Sequence, residues 1–215
     1  MEAVKRIPYG VSDFVAGVEQ NQYYVDKTMY LPLLEQQPSN LFLIRPRRFG
    51  KSIFLNMLRA YYDSSQKAKF EKRFGNLWIG QNPTPLQGRY QVLFLDFSKA
   101  GVGIENLEAN FNLYCRRQLD GFMATYEDAY PERTVEEFYA STSAADKLSM
   151  IEVEAQRHGY PLYLIIDEYD NFTNVVLNEQ GNDIYHAITH ASGFYREIFK
   201  KFKGMFERIF MMGVS

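Results

Sequence analysis

A glycine, a lysine and a serine stand together at residues 50–52, shortly after an apolar run at 41–44. A helix that begins here would have N–H groups without internal partners and the positive end of its dipole at its first turn. Such a helix start binds anions, and phosphate in particular. Gly50 would allow a positive φ and a close approach of the backbone, Lys51 would reach the phosphate oxygens, and the Ser52 hydroxyl is a ligand for Mg²⁺. The three residues match the second half of the phosphate-binding loop G-x-x-x-x-G-K-[ST].

The first half of that loop departs from the usual pattern, because Arg45 stands where the first glycine is normally found. Pro46 follows and stiffens the turn by fixing its own φ, so the turn must accept a side chain at this end. The predicted phosphate-binding set is Arg47, Arg48, Phe49, Gly50, Lys51, Ser52 and Ile53. Taken alone, this half-motif is also compatible with a basic loop before an ordinary helix.

A second motif favours the nucleotide interpretation. The apolar run at 162–166 ends in Asp167 and Glu168. In nucleotide hydrolases an Asp at such a strand end positions Mg²⁺, and a Glu directly after it orients and deprotonates the attacking water. A solvated acidic turn is the alternative, but it must explain two strand-end motifs in the correct chain order. Together they predict a Mg²⁺–nucleotide site with Lys51 and Glu168 as catalytic residues and with Ser52 and Asp167 at the metal.

The elements that must position these residues are visible as an alternation of apolar runs and helical patterns. Continuous apolar strands are typical of a parallel sheet covered on both faces, and they are predicted at 41–44, 92–97, 162–167 and 208–214. Helical spacing occurs at 52–63, 104–126 and 193–207. This alternation predicts a doubly wound α/β fold.

Composition restricts the class of protein further. The hydrophobic fraction of 46% is enough for a sizeable core, and the net charge of -2 does not support a general nucleic-acid binder, although a local basic patch remains possible. The N-terminus has no apolar segment of the secretory kind, and no run approaches the roughly 18 apolar residues of a membrane span. We therefore expect a cytoplasmic protein that does not enter a membrane. The one cysteine, Cys115, is expected to be a buried thiol.

Several other candidates have a structural alternative. His186 and His190 have the i, i+4 spacing of metal ligands, but no third ligand accompanies them. Asp26 is expected to cap the helical segment that follows it. Asp96 ends the second strand and either approaches the catalytic water or caps a turn with Ser98.

The whole chain resembles the AAA-ATPase-like family of P-loop proteins. The segments that carry the resemblance are IPYGVSDF (7–14), YYVDKT (23–28), LFLIRPRRFGKS (41–52), LFLDFS (93–98), LIIDEYDN (164–171) and MGVS (212–215). In this family the loop lacks its first glycine, so Arg45 is the family's own version of the motif. The resemblance implies ATP and Mg²⁺ as cofactors. It also implies an ASCE-type three-layer sandwich with a mostly parallel sheet of strand order 5-1-4-3-2. Many members continue into a PD-(D/E)XK nuclease-like domain, and no such motif is found in these residues.

Four assignments follow from the resemblance with less support in the residues themselves. Tyr9 is a candidate to stack on the base, with packing on the core as the alternative. The family often has a threonine near the end of the fourth strand, where this chain has Met212, so Ser215 is the candidate that senses the γ-phosphate. Arg196 and Arg208 are candidates for an arginine finger supplied to a neighbouring copy.

The chain divides into an N-terminal extension at 1–40, which is expected to pack on the core, and a P-loop core at 41–215. This core is expected to lack the fifth strand and the lid, which would leave the strand at 41–44 at an edge. We therefore expect self-association, a contact with a further C-terminal domain, or a strand borrowed from the N-terminal segment.

The function predicted from these observations is Mg²⁺-dependent ATP hydrolysis. Three alternatives remain open: a nucleotide-gated switch or scaffold with little turnover, a P-loop kinase, and an interaction module with a vestigial site. Glu168 argues against a kinase, because kinases usually lack that water-activating residue.

Overall fold

The fold is built on four parallel strands. A computed structural model describes residues 5–7, 13–46, 48–100, 106–171, 174, 177 and 194–214. Its strands are β1 (Asn40–Arg45), β2 (Gln91–Asp96), β3 (Leu162–Asp167) and β4 (Arg208–Val214), in the order β1-β4-β3-β2. The predicted α/β class and all four predicted strands are confirmed, with ends that agree to within one residue. The spatial order of these four strands agrees with the order 1-4-3-2 within the implied arrangement.

Helices cover both faces of the sheet. The described α-helices are α1 (Phe14–Glu19), α2 (Leu31–Glu35), α3 (Lys51–Tyr62), α4 (Phe70–Phe74), α5 (Trp78–Gln81), α6 (Leu107–Tyr126), α7 (Glu132–Ala140), α8 (Ala144–His158) and α9 (Phe194–Met205). The first five pack on one face and the last four on the other. The two layers are possible because successive side chains of a strand point to opposite faces.

β3 shows this alternation most clearly, since all six of its residues are buried. Tyr163 and Ile165 join the core under α1–α5, whereas Leu162, Leu164 and Ile166 join the core under α6–α9. A strand buried on both faces reads as one uninterrupted apolar run, which explains why the sequence predicts it so well.

β1 lies at the edge of the sheet. It pairs with β4 on one side, and no other strand of the described residues pairs with its outer side. Leu41 and Leu43 pack under the α1–α5 layer, but Phe42 and Ile44 on the opposite face are each 45% exposed. The expected edge at 41–44 is therefore observed.

The described part of 1–40 lies against the α3 side of the sheet. Phe14 of α1 and Leu31 of α2 are fully buried there. The Asp26 carboxylate accepts hydrogen bonds from the N–H and the hydroxyl of Thr28, at 2.8 and 2.7 Å. It also accepts one from the Trp78 N–H at 2.7 Å, so the predicted capping residue additionally ties this segment to α5.

The sequence analysis predicted neither α7 nor α8. Ser143 begins α8 by accepting a hydrogen bond from the Asp146 N–H, and Gly159 ends it with a φ of 69°. Cys115 is buried on α6 as expected, and burial raises the pKa of its thiol to about 12, so the thiol is unreactive. No helix in the described part of the chain has both the length and the apolarity to span a bilayer.

Candidate functional site

The predicted site residues meet at the carboxyl ends of the parallel strands. β1 and β3 run parallel, so the loop that leaves β1 and the acidic pair that ends β3 emerge on the same side. In open parallel sheets, ligands bind at the carboxyl ends of the strands.

A hydrogen bond joins the two motifs directly. The Ser52 hydroxyl donates to Asp167 Oδ2 at 2.8 Å, across 115 positions of sequence. Asp167 is 4% exposed, so this contact lies in a largely desolvated position. The two residues predicted to ligate a metal are therefore adjacent.

The loop has the backbone of an anion site. Gly50 takes a φ of 71° and caps α3, which begins at Lys51. Arg48 also has a positive φ, of 66°, an unusual conformation for a residue with a side chain. Left-handed residues of this kind are typical of backbone turns that bind anions through successive N–H groups.

Lys51 bends back across this turn. Its side chain is 8% exposed, and its Nζ donates to the Arg45 carbonyl oxygen at 3.4 Å. Arg45 thus closes the loop through its main chain, and its own side chain is exposed. This arrangement accounts for the tolerance of an arginine at the position where such loops usually have glycine.

The two acidic residues are held in an environment that disfavours their charge. Burial is the main cause that raises the pKa of Asp167, and the hydrogen bond from Ser52 opposes it. Burial and the neighbouring Asp167 charge raise the pKa of Glu168. Glu168 also has a φ of 50°, and such strained backbone is concentrated at functional sites.

Contacts with β4 fix the chain that follows β3. The Tyr169 N–H donates to the Met212 carbonyl at 3.3 Å, and the Tyr195 hydroxyl donates to the Tyr169 carbonyl at 2.8 Å. Gly213 must be a glycine here, because a Cβ at this position would overlap the Tyr169 ring. The position of Glu168 is therefore set by a neighbouring strand as well as by its own.

Asp96 makes the contacts of the predicted turn cap. It lies opposite Asp167 in the β2–β3 register. Its carboxylate accepts hydrogen bonds from the N–H and hydroxyl of Ser98, at 3.1 and 2.6 Å, and pairs with Lys99 at 2.9 Å. It caps the turn after β2.

The comparison with known proteins agrees with this geometry. A family model described as "Predicted AAA-ATPase" matches residues 8–215. The chain belongs to the AAA-ATPase-like family. It is also 41% identical over 63 residues to an uncharacterised protein in the vnfD 5′ region of Azotobacter chroococcum mcd 1. That match covers 29% of this chain and 12% of the relative. No solved structure matches.

The donor set of this AAA-ATPase-like chain fits Mg²⁺. The Ser52 hydroxyl and the Asp167 carboxylate are hard oxygen ligands in contact, and a cation beside them would relieve the buried negative charge. No cluster of three His, Cys, Asp or Glu side chains able to hold a metal occurs in the described ranges. Two protein ligands suit Mg²⁺, which usually keeps waters and shares the oxygens of a phosphate.

The remaining predicted residues form no hydrogen bond or ion pair with the loop within the described ranges, or they lie outside those ranges. Arg208 lies at the start of β4, at the end of the strands opposite to the loop. Its guanidinium donates to the Leu34 and Glu35 carbonyl oxygens at 3.5 and 2.7 Å and so caps α2. Arg196 is exposed on α9. The residues outside the described ranges are Tyr9, Arg47, His186, His190 and Ser215.

The sequence analysis missed one basic residue of the site, Lys27. A Cβ built on Gly50 would lie 3.7 Å from the Lys27 Nζ, so this ammonium adjoins the loop. The sequence places Lys27 in YYVDKT, far from the loop and directly after the predicted cap Asp26. Its presence in a segment that carries the family resemblance was the available indication.

Proposed function

We propose that this AAA-ATPase-like chain binds ATP with Mg²⁺ and hydrolyses the bond to the γ-phosphate. The observation that carries the proposal is the 2.8 Å hydrogen bond between Ser52 Oγ and Asp167 Oδ2. A basic loop that only precedes a helix does not require its Ser52 hydroxyl to contact the carboxylate at the end of β3.

Binding of the phosphates rests on α3 and its preceding loop. The free N–H groups from Arg48 to Ser52 donate to phosphate oxygens, and Lys51 releases the Arg45 carbonyl to contact the β- and γ-phosphates. Ser52 and Asp167 hold Mg²⁺, which supplies charge neutralisation at the transferred phosphoryl group.

Hydrolysis rests on Glu168. Its carboxylate accepts a proton from the water whose oxygen bonds to the γ-phosphorus, while the bond between that phosphorus and the bridging oxygen breaks and ADP leaves. A raised pKa makes Glu168 a stronger base than an exposed glutamate, which suits this role.

A switch with little turnover is the second candidate, and Met212 favours it. The Met212 side chain is 1% exposed and packs in the α3-side core, so it offers no polar group to the γ-phosphate. Such a protein would bind MgATP tightly and hydrolyse it slowly.

The test is calorimetric titration of MgATPγS into the chain, beside Lys51→Ala and the control Lys203→Ala. Lys203 is an exposed lysine of α9, on the other helical layer. Loss of a charged hydrogen bond predicts about 10- to 100-fold weaker binding for Lys51→Ala and no change for the control. Equal affinities of all three proteins would overturn the proposal. Phosphate release without an acceptor then supports hydrolysis and rules against a kinase, whereas tight binding without release is the result expected of the switch or of a kinase that lacks its acceptor.

A further inference from the structure

A cavity opens directly beside the loop on the α3 side of the sheet. Its volume is about 430 Å³, within the range of small-molecule sites. Gly50 and Lys51 form part of its wall, so a phosphate at the start of α3 would stand at its rim. The cavity is therefore a place for the remainder of a phosphorylated ligand.

The lining of the cavity has two chemical characters. The apolar side chains come from α2, β1, α3, β4 and the loop, and they are Tyr30, Leu34, Leu43, Phe49, Phe54 and Met212. The basic ones are Lys27, Arg45 and Lys51. A ligand that fills this space has a flat or apolar part at one end and negative charge at the other, which is the chemistry of a nucleotide.

Two of the aromatic side chains that line the cavity are largely exposed to solvent. Tyr30 is 50% exposed and Phe49 is 63% exposed. A planar base that packs between or against such rings removes apolar surface from water and gains the ring contact.

Lys27 gives the cavity a second ammonium near the phosphates. Its Nζ adjoins Gly50, and among the described residues it forms no ion pair and no side-chain hydrogen bond. A half-buried lysine without a carboxylate partner favours an anionic ligand at that point.

We propose that the nucleoside of the bound nucleotide occupies this cavity, with its base against Tyr30 and Phe49 and with Lys27 as a second phosphate-binding lysine. This inference rests on the proposed function, because it assumes that the loop holds the phosphates. It adds a base-binding pocket and a second lysine to the residues predicted from the sequence.

The test compares MgATP with magnesium tripolyphosphate, which has the phosphates without the nucleoside. Both ligands are titrated into the parent chain, Tyr30→Ala, Phe49→Ala, Lys27→Met and the control Tyr139→Ala, a half-exposed tyrosine of α7. Circular dichroism establishes that each variant is folded. We expect the aromatic variants to fold, because both rings are largely exposed.

The expected result separates the two parts of the cavity. Tyr30→Ala and Phe49→Ala each weaken MgATP about tenfold and leave tripolyphosphate unchanged, whereas Lys27→Met weakens both ligands about tenfold. Tyr139→Ala changes neither affinity.

Each other outcome has a definite meaning. If the parent binds tripolyphosphate through Lys51 but the two aromatic variants bind MgATP as the parent does, the pocket is wrong and the proposed function stands. Equal weakening of both ligands by the aromatic variants has the same meaning. An unchanged Lys27→Met overturns the role of that lysine. If the parent binds neither ligand, the proposed function fails and this inference fails with it.

Discussion

β3 and β1 each deliver half of the candidate site, yet they are supported very differently. All six residues of β3 are buried between two helical layers, and the strand ends at Asp167. β1 leads into the loop, but it lies at the edge of the sheet with Phe42 and Ile44 half exposed on one face. The acidic pair therefore follows a strand of the core, whereas the phosphate-binding loop follows a strand at the edge of the sheet.

The difference indicates where the site can adapt. Regions with few buried apolar contacts open at lower free energy than the core. The acidic residues are therefore expected to hold a fixed position, while the loop adjusts as Lys51 exchanges the Arg45 carbonyl for a ligand. The proposed catalysis needs the acidic residues in a fixed position, and ligand binding can use the adjustment of the loop.

The largest expected effect is on turnover, at the end of β3. Glu168→Gln keeps the shape of the side chain but cannot accept the proton of the water, so hydrolysis should fall by about 100- to 10,000-fold. Binding of MgATP should stay within about twofold, because the loop on β1 is unchanged. A phosphate-release assay with calorimetry measures both quantities, and Glu136→Gln on α7 is the matched exposed control. Turnover equal to that of the parent would remove Glu168 from the mechanism.

The pH profile of turnover provides a second check on Glu168. Only the ionised carboxylate can accept the proton, so activity should be lost as the pH falls through the pKa of Glu168. Since that pKa is raised, the loss should begin at a higher pH than for an exposed glutamate. A profile that is flat down to the ordinary value of 4.5 would contradict the assignment.

The next effect compares the strands with the same substitution. Ile165→Ala in β3 removes a fully buried side chain and should cost about 2–5 kcal/mol of unfolding free energy. Ile44→Ala in β1 removes a side chain that is already half in water, and it should cost less than about 1 kcal/mol. Urea denaturation of both variants measures the two losses. Equal losses would mean that β1 is as well supported as β3.

A smaller effect, of opposite sign, is expected at Asp167. Its pKa is raised in the folded chain, so between the ordinary value of 3.8 and the raised value the folded state holds more protons than the unfolded state. Stability contributed by this group therefore falls as the pH rises through that window, and the full cost is present at neutral pH. Asp167→Asn has no charge to bury, so its Tm should lie above that of the parent chain at pH 7.

The control for Asp167→Asn is pH itself. As the pH falls through the raised pKa of Asp167, the carboxyl of the folded parent takes up its proton, and the difference in Tm should shrink. The variant should also lose Mg²⁺-dependent binding of nucleotide, because a neutral amide is a poor ligand for that cation. A variant that is less stable than the parent at pH 7 would show that the charge of Asp167 is compensated.

Much of this fold could be predicted because its central strands, β3 and β4, are largely buried between the two helical layers. Continuous apolar runs at 162–167 and 208–214 have one structural explanation, and the acidic or glycine-rich residues after such runs then fall at the same edge. Gly50 is a similar case, since a left-handed residue at a helix start favours glycine.

The remaining features depend on contacts that are distant in sequence. Lys27 reaches the loop only because the segment before β1 packs on α3, and no local pattern encodes that approach. Arg208, a candidate arginine finger, contacts the end of α2, and that contact depends on the register of β4. α7 and α8, of 9 and 15 residues, were not predicted, although each has an apolar side that is buried in the core under α6–α9.

The smallest expected effect on the folded chain is at the outer edge of β1, and it tests self-association. An unpaired strand edge with exposed apolar side chains favours pairing with another copy. Ile44→Lys places a charge on that face and should change the unfolding free energy by no more than about 1 kcal/mol, because the side chain is half exposed. Sedimentation velocity over a range of concentrations should show that the parent associates and that the variant stays monomeric. A parent that is monomeric at every concentration would mean that the outer side of β1 does not pair with another copy. The edge strand would then need a partner no more than the central strand β3 does.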